Sequence, residues 1–406
     1  MKNHTLRMLV LVGGLWSTCA YPAAVLFDSG SDGSRGPLNV TTNTTLTLPA
    51  DGIFKYTTIT IGAGATLTFS RNPLNTPVYL LATGDVNING AIDLGGSSAV
   101  IPFVGGLGGP GGFDGGPGGT TFNGSTFPGG PGMGPGGGGP ALSADRAAGG
   151  SYLTVGVSVF GATTSPTYGT PLLIPLIGGS GGGGASPSST GLYGGGGGGG
   201  GGGAILIASN TRITLSSGGS IGSVGGGSDP AFGYAGGGSG GAIRLVAPRV
   251  FGNGTLDVNG GYGFDSNGGV GRLRVDSIYK VDPTNSALNL ALTYRPTFST
   301  SVGANMMTFL TNNIHLDILS VAGSPVPAGS PLQIQLPLNA NTNQVVTVQA
   351  TGFNALVPIR VALIPASGST VTFDATINNT GTNPTSTNVN VIFPVNQLVN
   401  VQVWTR

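Results

Sequence analysis

The chain has 406 residues, of which 79 are glycine, and its 15 basic residues nearly balance 14 acidic ones. Every acidic residue is an aspartate, and only three residues are lysine. This near-neutral composition excludes the basic surface that nucleic-acid binding requires and the polybasic patch that holds proteins on anionic membranes.

The first 20 residues are predicted to form a secretory signal peptide. Lys2 and Arg7 supply the positive charge, Met8 to Trp16 the apolar core, and cleavage is expected after Ala20. The apolar stretch is shorter than the roughly 18 residues that cross a bilayer, so we expect no integral membrane segment after cleavage. Removal of Cys19 would leave no thiol for disulfides or metal binding. The predicted location is secreted, extracellular or at the cell surface, with the periplasm as the alternative.

Residues 21–281 are predicted to form a glycine-rich domain built on a repeat. The pattern of Val86 to Gly96 recurs at Val250 to Gly260, and a second pattern follows three glycine runs, at Ala204 to Ile207, Ala242 to Leu245 and Arg272 to Val275. Short apolar strands, repeated turns and no helical period predict an all-β fold, a right-handed parallel β-helix-like solenoid. The alternative is a β-sandwich whose strands resemble one another only in composition.

Polyglycine-rich insertions interrupt this domain at about 95–203 and 218–241. Residues 105–139 hold 19 glycines and residues 178–203 hold 17. Such a composition is typical of disorder, which is one interpretation. The other is a stack of antiparallel polyglycine helices, because a triplet frame starts at Gly106 and three residues per turn is the polyproline II period. Ser151 to Phe160, which alternates like a strand, and the apolar stretch Pro171 to Ile177 are predicted to anchor the insertion to the core.

Glycine becomes sparse after Thr297, and the pattern changes to short strands with turns between them. We predict a linker over 282–296 and an immunoglobulin-like β-sandwich over 297–406. The predicted strands of this domain are Met306–Leu310, Leu316–Val321, Leu332–Leu336, Val345–Ala350, Ile359–Ile364, Val371–Ile377, Val389–Phe393 and Val399–Trp404.

One hypothesis for function is a polysaccharide-acting β-helix enzyme, a lyase or hydrolase. Its acidic and basic groups would form a charged line on one solenoid face, from Asp257, Asp265, Asp276, Arg244 and Arg274. A structural interpretation is open for the same residues, because aspartate at turns accepts backbone amides and arginine on neighbouring strands pairs with it. His315 is the single histidine after signal removal, and it has no partners at catalytic spacing.

Two short stretches carry oxygen donors in calcium-like spacing. Gly260 to Asp265 matches one copy of a calcium-binding nonapeptide, and Asp28 and Asp32 are spaced like the start of a calcium loop. The first stretch lacks tandem copies, and the second lacks the bidentate glutamate. Turn formation explains both stretches, so we predict that the protein holds no metal and no other cofactor. If calcium were bound, Asp28, Asp32 and Asp265 would be the candidate ligands.

The glycine runs with Pro-Gly-Gly and Gly-Gly-Phe-Asp, followed by Gly-Gly-Ala-Ile-Leu-Ile-Ala-Ser, resemble secreted glycine-rich bacterial surface proteins and filamentous adhesins over roughly residues 21–276. The glycine frame also resembles the polyglycine sandwich of phage tail-tip adhesins, whose glycine layers present loops to a receptor. The chain departs from that pattern because its glycine blocks are unequal in length. The resemblance implies an exported, non-enzymatic surface protein that binds a receptor or an extracellular carbohydrate through loops.

Aromatic residues are the large side chains available for such contacts amid glycine. The candidates are Phe113, Tyr152, Tyr193, Phe232, Tyr234 and Tyr262. Covering the glycine runs or filling the core is the alternative role for them. A third hypothesis is ice or mineral binding through threonine arrays at 41–47 and 57–68, although threonine also recurs there because it favours strands.

Overall fold

The computed structural model describes residues 27–99, 103–142, 146–159, 161–187, 195–228, 234–279, 291–292, 297–299, 314–327, 333–337 and 339–406. All regular elements of these residues are strands, which confirms the all-β class. None of the described residues belongs to a helix that could cross a membrane. The predicted signal peptide, the strand predicted over 306–310, Tyr193 and Phe232 lie outside the described residues.

The first strands of the chain pair in parallel. They are β1 (Leu38–Val40), β2 (Thr44–Thr47), β3 (Ile53–Tyr56), β4 (Ile59–Ile61), β5 (Thr66–Ser70), β6 (Val78–Ala82), β7 (Val86–Ile88) and β8 (Ala91–Asp93). An antiparallel hairpin follows, of β9 (Thr120–Phe122) and β10 (Ser125–Phe127). The parallel strands resume with β11 (Ala204–Ser209), β12 (Arg212–Leu215), β13 (Ser220–Gly222), β14 (Ala242–Gly252), β15 (Thr255–Asp257), β16 (Arg272–Tyr279), β17 (Ala291–Leu292) and β18 (Thr297–Ser299).

These strands recur in triplets, and each strand pairs with its counterpart in the next triplet. One series is β3, β6, β11, β14 and β16, and another is β2, β5, β8, β13, β15 and β17. The register reproduces the repeats in the sequence. Ala204 pairs with Ala242, which pairs with Arg272, and Ile213 lies between Val86 and Val250. The predicted equivalence of these copies is therefore confirmed.

The parallel sheets nearly close around one core, which is built from ladders of apolar side chains. Equivalent positions stack strand over strand, as in the ladder Leu80, Ile207, Leu245 and Val275. All four side chains are buried in the same cluster. Alternate residues of a strand face opposite sides of a sheet, so the same register also aligns the outward residues. β17 and β18 extend these sheets into the predicted linker and the first residues after it.

The outer face of the β6–β11–β14–β16 part of the sheet is covered by the segment 168–177. Leu173 and Leu176 are buried in a second apolar cluster, together with Leu206 and Val246 of the sheet. Cover on both faces is typical of parallel sheets and explains the continuous apolar run of β11. The apolar stretch Pro171 to Ile177 thus lies where the anchor was predicted.

The C-terminal strands are antiparallel. They are β19 (His315–Val321), β20 (Ser324–Pro325), β21 (Asn343–Thr351), β22 (Leu356–Pro365), β23 (Val371–Asn378), β24 (Thr385–Ile392) and β25 (Val399–Thr405). They form one sheet of order β20-β19-β21-β24 and another of order β23-β22-β25, which share a core that includes Val346, Val348, Ile359 and Val361. The strand predicted over 332–336 is wrong for its described residues 333–336, which have no strand. The other predicted strands in the described residues coincide with β19 and β21–β25.

Between β8, β11, β14 and β16 lie segments with few strands, which bond to one another through their backbones. We call the segments 94–99, 103–119, 128–141, 147–151, 178–187, 195–203, 223–228, 234–241 and 258–271 the glycine layer. Donors and acceptors advance in steps of three residues. They advance in the same direction from Phe103 N to Gly195 O (3.3 Å), Gly106 N to Gly198 O (2.8 Å) and Gly109 N to Gly201 O (2.9 Å). They advance in opposite directions from Gly195 N to Gly119 O (2.8 Å), Gly198 N to Gly116 O (2.9 Å) and Gly201 N to Phe113 O (2.8 Å), so the predicted antiparallel arrangement holds for some pairs of segments only. A three-residue period is that of the polyproline II helix, as the triplet frame predicts.

Neighbouring segments of the layer pack so closely that they leave no room for side chains. A Cβ atom added to Gly198 would lie 2.0 Å from the carbonyl oxygen of Gly182. Gly198 also donates its amide to Gly116 O (2.9 Å) and accepts from Gly106 N (2.8 Å). One residue thus contacts two other segments, 103–119 and 178–187, through its backbone alone. This packing explains why every residue of 195–203 is glycine and buried.

Segments at the surface of the layer carry larger residues at every third position. Val104 and Leu107 are more than half exposed, whereas Gly106, Gly108 and Gly109 beside them are buried. The Gly-Leu-Gly triplet at 106–108 therefore indicates which side of this segment faces solvent. Pure glycine marks an interior segment, and a triplet frame marks a peripheral one.

Candidate binding surface at the far end of the glycine layer

The glycine layer has two ends, and only one is joined to the parallel sheets. Gly203, Gly241 and Gly271 lead directly into β11, β14 and β16, and their hydrogen bonds continue into the sheet, from Ala242 N to Gly203 O and from Arg272 N to Gly241 O. We call the opposite end the far end. It is defined by described residues that bond to each other there: Ala99 to Gly227, Phe103 to Gly195, Gly119 to Ala185, Ala147 to Tyr234, and Ser228 to Tyr262.

A cluster of aromatic and charged side chains lies at the far end. The backbone bonds of Ala147 and of Ser228 bring together Arg146, Tyr234 and the stretch 262–265. The Arg146 guanidinium lies 4.2 Å from the centre of the Tyr234 ring and 5.6 Å from that of Phe264. Arg146 also forms an ion pair with Asp265. We call Arg146, Tyr234, Tyr262, Phe264 and Asp265 the far-end cluster.

The stretch 262–267 forms a tight turn that directs these side chains outward. The amide of Gly263 donates to Asn267 Oδ1 (3.0 Å), and the amide of Asp265 donates to the carbonyl of Gly263 (2.6 Å). Phe264 has a φ of +41°, a conformation that bulky residues rarely adopt. Its ring packs against Tyr234, with 5.1 Å between the ring centres. The turn therefore holds Phe264 over Tyr234 and leaves Tyr262 61% exposed.

The other described aromatic candidates serve the scaffold. Tyr152 is fully buried, stacks on Tyr168 at 4.5 Å and donates its hydroxyl to Ile177 O (2.8 Å). Burial raises the pKa of the Tyr152 phenol above its ordinary value. Phe113 lies against the glycine layer, because a Cβ on Gly134 would come within 2.6 Å of its ring. Among the described candidates, Tyr234 and Tyr262 are the exposed ones.

Three of the proposed catalytic residues contact one another, but they are buried beneath segment 168–177. Asp276 Oδ2 accepts from Arg244 Nε (2.9 Å) and Arg274 Nε (3.0 Å), and all three residues are at most 5% exposed. Arg274 Nη1 also donates to the carbonyl of Pro171 (3.2 Å) in the covering segment. Burial lowers the pKa of Arg244, and the carboxylate of Asp276 opposes that effect. This buried trio fixes the covering segment to the sheet.

The remaining aspartates of that hypothesis lie elsewhere. Asp257 is at the end of β15, in the other parallel sheet, and accepts the amide of Asn259 (2.9 Å), as expected of a turn aspartate. Asp265 belongs to the far-end cluster. His315 starts β19 and pairs with Asp317 at 3.0 Å. The structure therefore does not assemble the five predicted residues into one face.

The calcium candidates also form turns. Asp28 and Asp32 each accept the amide two residues onward, at 2.8 Å and 3.0 Å. Hydrogen bonds from Ser34 lower the pKa of Asp32 to about 2, helped by nearby Lys55. The carboxylate of Asp265 pairs with Arg146. Within the described residues, no three potential metal-ligating side chains come together.

The threonines of the third hypothesis lie partly in register on the sheet of β2 and β5. Thr45 pairs with Thr68, and their hydroxyls are 2.7 Å apart. A separate row on the same sheet runs from Thr66, which pairs with Ala91, on to Ser220 and Thr255. The row is mixed, and the two aligned threonine hydroxyls bond to each other.

Sequence reasoning missed Arg146 as a site residue, although a signal was present. Arg146 and its neighbour Asp145 are the only charged residues between Asp114 and Arg212. A charged pair in so long an uncharged stretch departs from the surrounding composition, and this departure was the signal. The comparisons found no matching family model, curated protein or solved structure.

Proposed function

We propose that the chain is an exported, non-enzymatic surface or matrix protein that binds a receptor or an extracellular carbohydrate through its far-end cluster. In this proposal the stacked strand triplets are a right-handed parallel β-helix-like solenoid, and the C-terminal sheets are an immunoglobulin-like sandwich. The solenoid and the glycine layer together form a rigid support.

The observation that carries the proposal is the contrast between the layer and its far end. The interior of the layer consists of backbone bonded to backbone, with no room for a ligand. Its far end presents exposed rings beside a paired arginine and aspartate. A support of this kind holds the side chains in place before binding, so little ordering entropy is lost on contact.

The burial of the Arg244–Asp276–Arg274 trio supports binding over catalysis. A polysaccharide-cutting site must admit a chain of sugars, and this trio lies beneath the covering segment 168–177.

The C-terminal sheets contribute to the support of the glycine layer. Ser367 Oγ donates to Pro128 O (3.0 Å), and Gly134 N donates to Gln402 Oε1 (3.1 Å), so these sheets contact one side of the layer.

The test uses the mature protein, residues 21–406, coupled to beads and presented to intact bacterial and eukaryotic cells and to purified matrix polysaccharides. We expect retention of the beads on at least one surface without release of reducing or unsaturated sugar ends. Retention should fall in a variant carrying Tyr234→Ala and Tyr262→Ala. Release of sugar ends that Asp257→Asn or Asp276→Asn abolishes would overturn the proposal in favour of the enzyme, and so would retention on no surface.

A further inference from the structure

We propose that the far-end cluster is a binding site for a neutral saccharide, recognised by a pyranose ring stacking on Tyr262 and by its vicinal hydroxyls bonding to Asp265 and Arg146. This inference rests on the proposed function and names the ligand class of the same surface. Three observations support it: the exposure of the rings, the ion pair of Arg146 and Asp265, and the hydrogen bonds that anchor the turn to the glycine layer.

The rings provide a platform. Tyr262 is 61% exposed and Tyr234 is 41% exposed, and the ring of Phe264 packs against that of Tyr234 with 5.1 Å between their centres. One side of a pyranose presents several C–H bonds and little polarity, so it favours the flat, electron-rich face of an aromatic ring. Such rings also lose little conformational entropy on binding, because tyrosine has two side-chain torsions.

The ion pair selects the polar part of the ligand. Carboxylate oxygens accept hydrogen bonds only and guanidinium nitrogens donate only, whereas a sugar hydroxyl does both. A vicinal diol can therefore donate to Asp265 and accept from Arg146 at once. The Asp265 side chain is half exposed, and the Arg146 side chain is mostly covered by the rings.

The ion pair of Arg146 and Asp265 also determines whether a neutral or an acidic sugar fits the cluster. The guanidinium of Arg146 is already compensated by the carboxylate of Asp265 and by the face of Tyr234. An acidic sugar would meet the exposed Asp265 carboxylate and be repelled. The cluster therefore fits a neutral sugar and disfavours a uronate or a sialylated glycan.

The turn that carries Tyr262 is fixed to the glycine layer on both sides. The carbonyl of Tyr262 accepts the amide of Ser228 (2.9 Å), and the carbonyl of Ser266 accepts the amide of Gly237 (2.9 Å). The site is shallow, so the affinity for one sugar unit should be low, with a Kd on the order of 1 mM. Adhesion would then depend on several copies or several sugar units.

The test is saturation-transfer NMR on the mature protein with the methyl glycosides of glucose, galactose, mannose and N-acetylglucosamine, and of glucuronic and galacturonic acid. We expect transfer to ring C–H protons of at least one neutral glycoside and none to the uronates. Tyr262→Ala and Asp265→Asn should each reduce the signal at least tenfold. The matched control is Phe122→Ala, which removes an exposed ring of the β9–β10 hairpin and should leave the signal unchanged.

Each outcome decides the inference. Transfer to no glycoside, transfer only to uronates, or transfer that survives Tyr262→Ala overturns the saccharide site. Bead retention measured on the same samples separates the two proposals. Retention that persists in Tyr262→Ala without any sugar signal rejects the saccharide site and keeps the adhesive function. Retention on no surface rejects the adhesive function itself.

Discussion

In the parallel sheets each interior position holds an apolar side chain stacked on its counterpart, as in the ladder from Leu80 through Ile207 to Val275. In the glycine layer the interior holds glycine backbone and a few small side chains such as Ala148, Ser180 and Ser239, and backbone amides bond to carbonyls of neighbouring segments at three-residue intervals. The sheets therefore gain free energy from apolar burial, and the layer gains it from hydrogen bonds between closely packed backbones.

This difference makes the layer dependent on the sheets. A net hydrogen bond contributes about 1 kcal/mol, and ordering a backbone residue costs about 1–2 kcal/mol, with glycine at the upper end. Hydrogen bonds alone then do not offset the ordering of segment 195–203. The remaining stabilisation comes from the attachment of the layer to the sheets, because Gly203, Gly241 and Gly271 continue the ladders of β11, β14 and β16.

The largest effect is expected from a methyl group inside the layer. Gly198→Ala would place a Cβ 2.0 Å from Gly182 O, so the segments must separate and lose their shared bonds. We expect a local loss of more than about 4 kcal/mol, the range reserved for severe steric disruption. Hydrogen exchange followed by mass spectrometry should show roughly thousandfold faster exchange over 195–203, with β11 still protected.

The control for this variant is Gly222→Ala in β13, where an added Cβ meets nothing within 4 Å. We expect exchange rates like those of the unmodified protein. Equal effects of the two substitutions would contradict close packing in the layer. Fast exchange over 195–203 in the unmodified protein would support the disordered interpretation of the glycine runs.

A smaller effect is expected at the buried trio beneath the covering segment. Asp276→Ala leaves Arg244 and Arg274 buried without their shared carboxylate, which typically costs about 3–5 kcal/mol. Asp257→Ala is the matched control, because that carboxylate accepts only a turn amide in the described contacts and its loss should cost about 1 kcal/mol. Urea unfolding measures both. A similar loss in the two variants would show that the trio does not hold the covering segment.

The dependence of the layer on the sheets is tested by Ile207→Ala. Removing this fully buried side chain should cost about 3 kcal/mol through lost burial and a residual cavity. Because the layer relies on the sheet, protection from exchange should fall over 195–203 together with β11. Protection of 195–203 that stays unchanged while β11 loses it would mean that the layer is stable by itself.

The sequence predicted the parts of this structure that repeat locally. The copies at Val86 and Val250, and at Ala204, Ala242 and Arg272, are in register because equivalent positions need the same apolar residue in each ladder. The triplet frame of glycine likewise follows from the three-residue period of the layer.

The hairpin of β9 and β10 was not predicted, although a signal was present at Asn123-Gly124, where both residues have the positive φ typical of such turns.

The far-end cluster was only partly predictable. Tyr234 and Tyr262 follow from composition, but the contacts of Arg146 with Tyr234 and Asp265 depend on backbone bonds between segments about a hundred residues apart. The burial of Asp276 was equally hidden, because nothing in its own strand shows that residues 168–177 fold over it. Contacts set by how segments stack across the layer leave no periodic trace in the sequence.

The smallest effect is expected where the covering segment meets the layer, at Tyr152. Tyr152→Phe removes the hydroxyl that donates to Ile177 O, so at pH 8 we expect a loss of about 1 kcal/mol. Burial raises the pKa of this phenol above 10, and its proton is therefore bound more tightly in the folded protein. Its stabilising contribution is complete below pH 10 and declines as the pH rises further, because the unfolded phenol ionises first.

The difference between Tyr152→Phe and the unmodified protein should therefore shrink above pH 10 by about 1.4 kcal/mol per pH unit and then change sign. The tyrosines that do not contact Tyr152 are common to both proteins and cancel in the comparison. Tyr168 does not cancel, because it stacks on Tyr152, and the charge of an ionised Tyr152 adds to the burial that raises the Tyr168 pKa. Urea unfolding of both proteins at pH 8 and pH 11 measures this difference. A difference that stays constant between the two pH values would mean that the phenol reaches solvent, and that the covering segment opens where the layer joins the sheets.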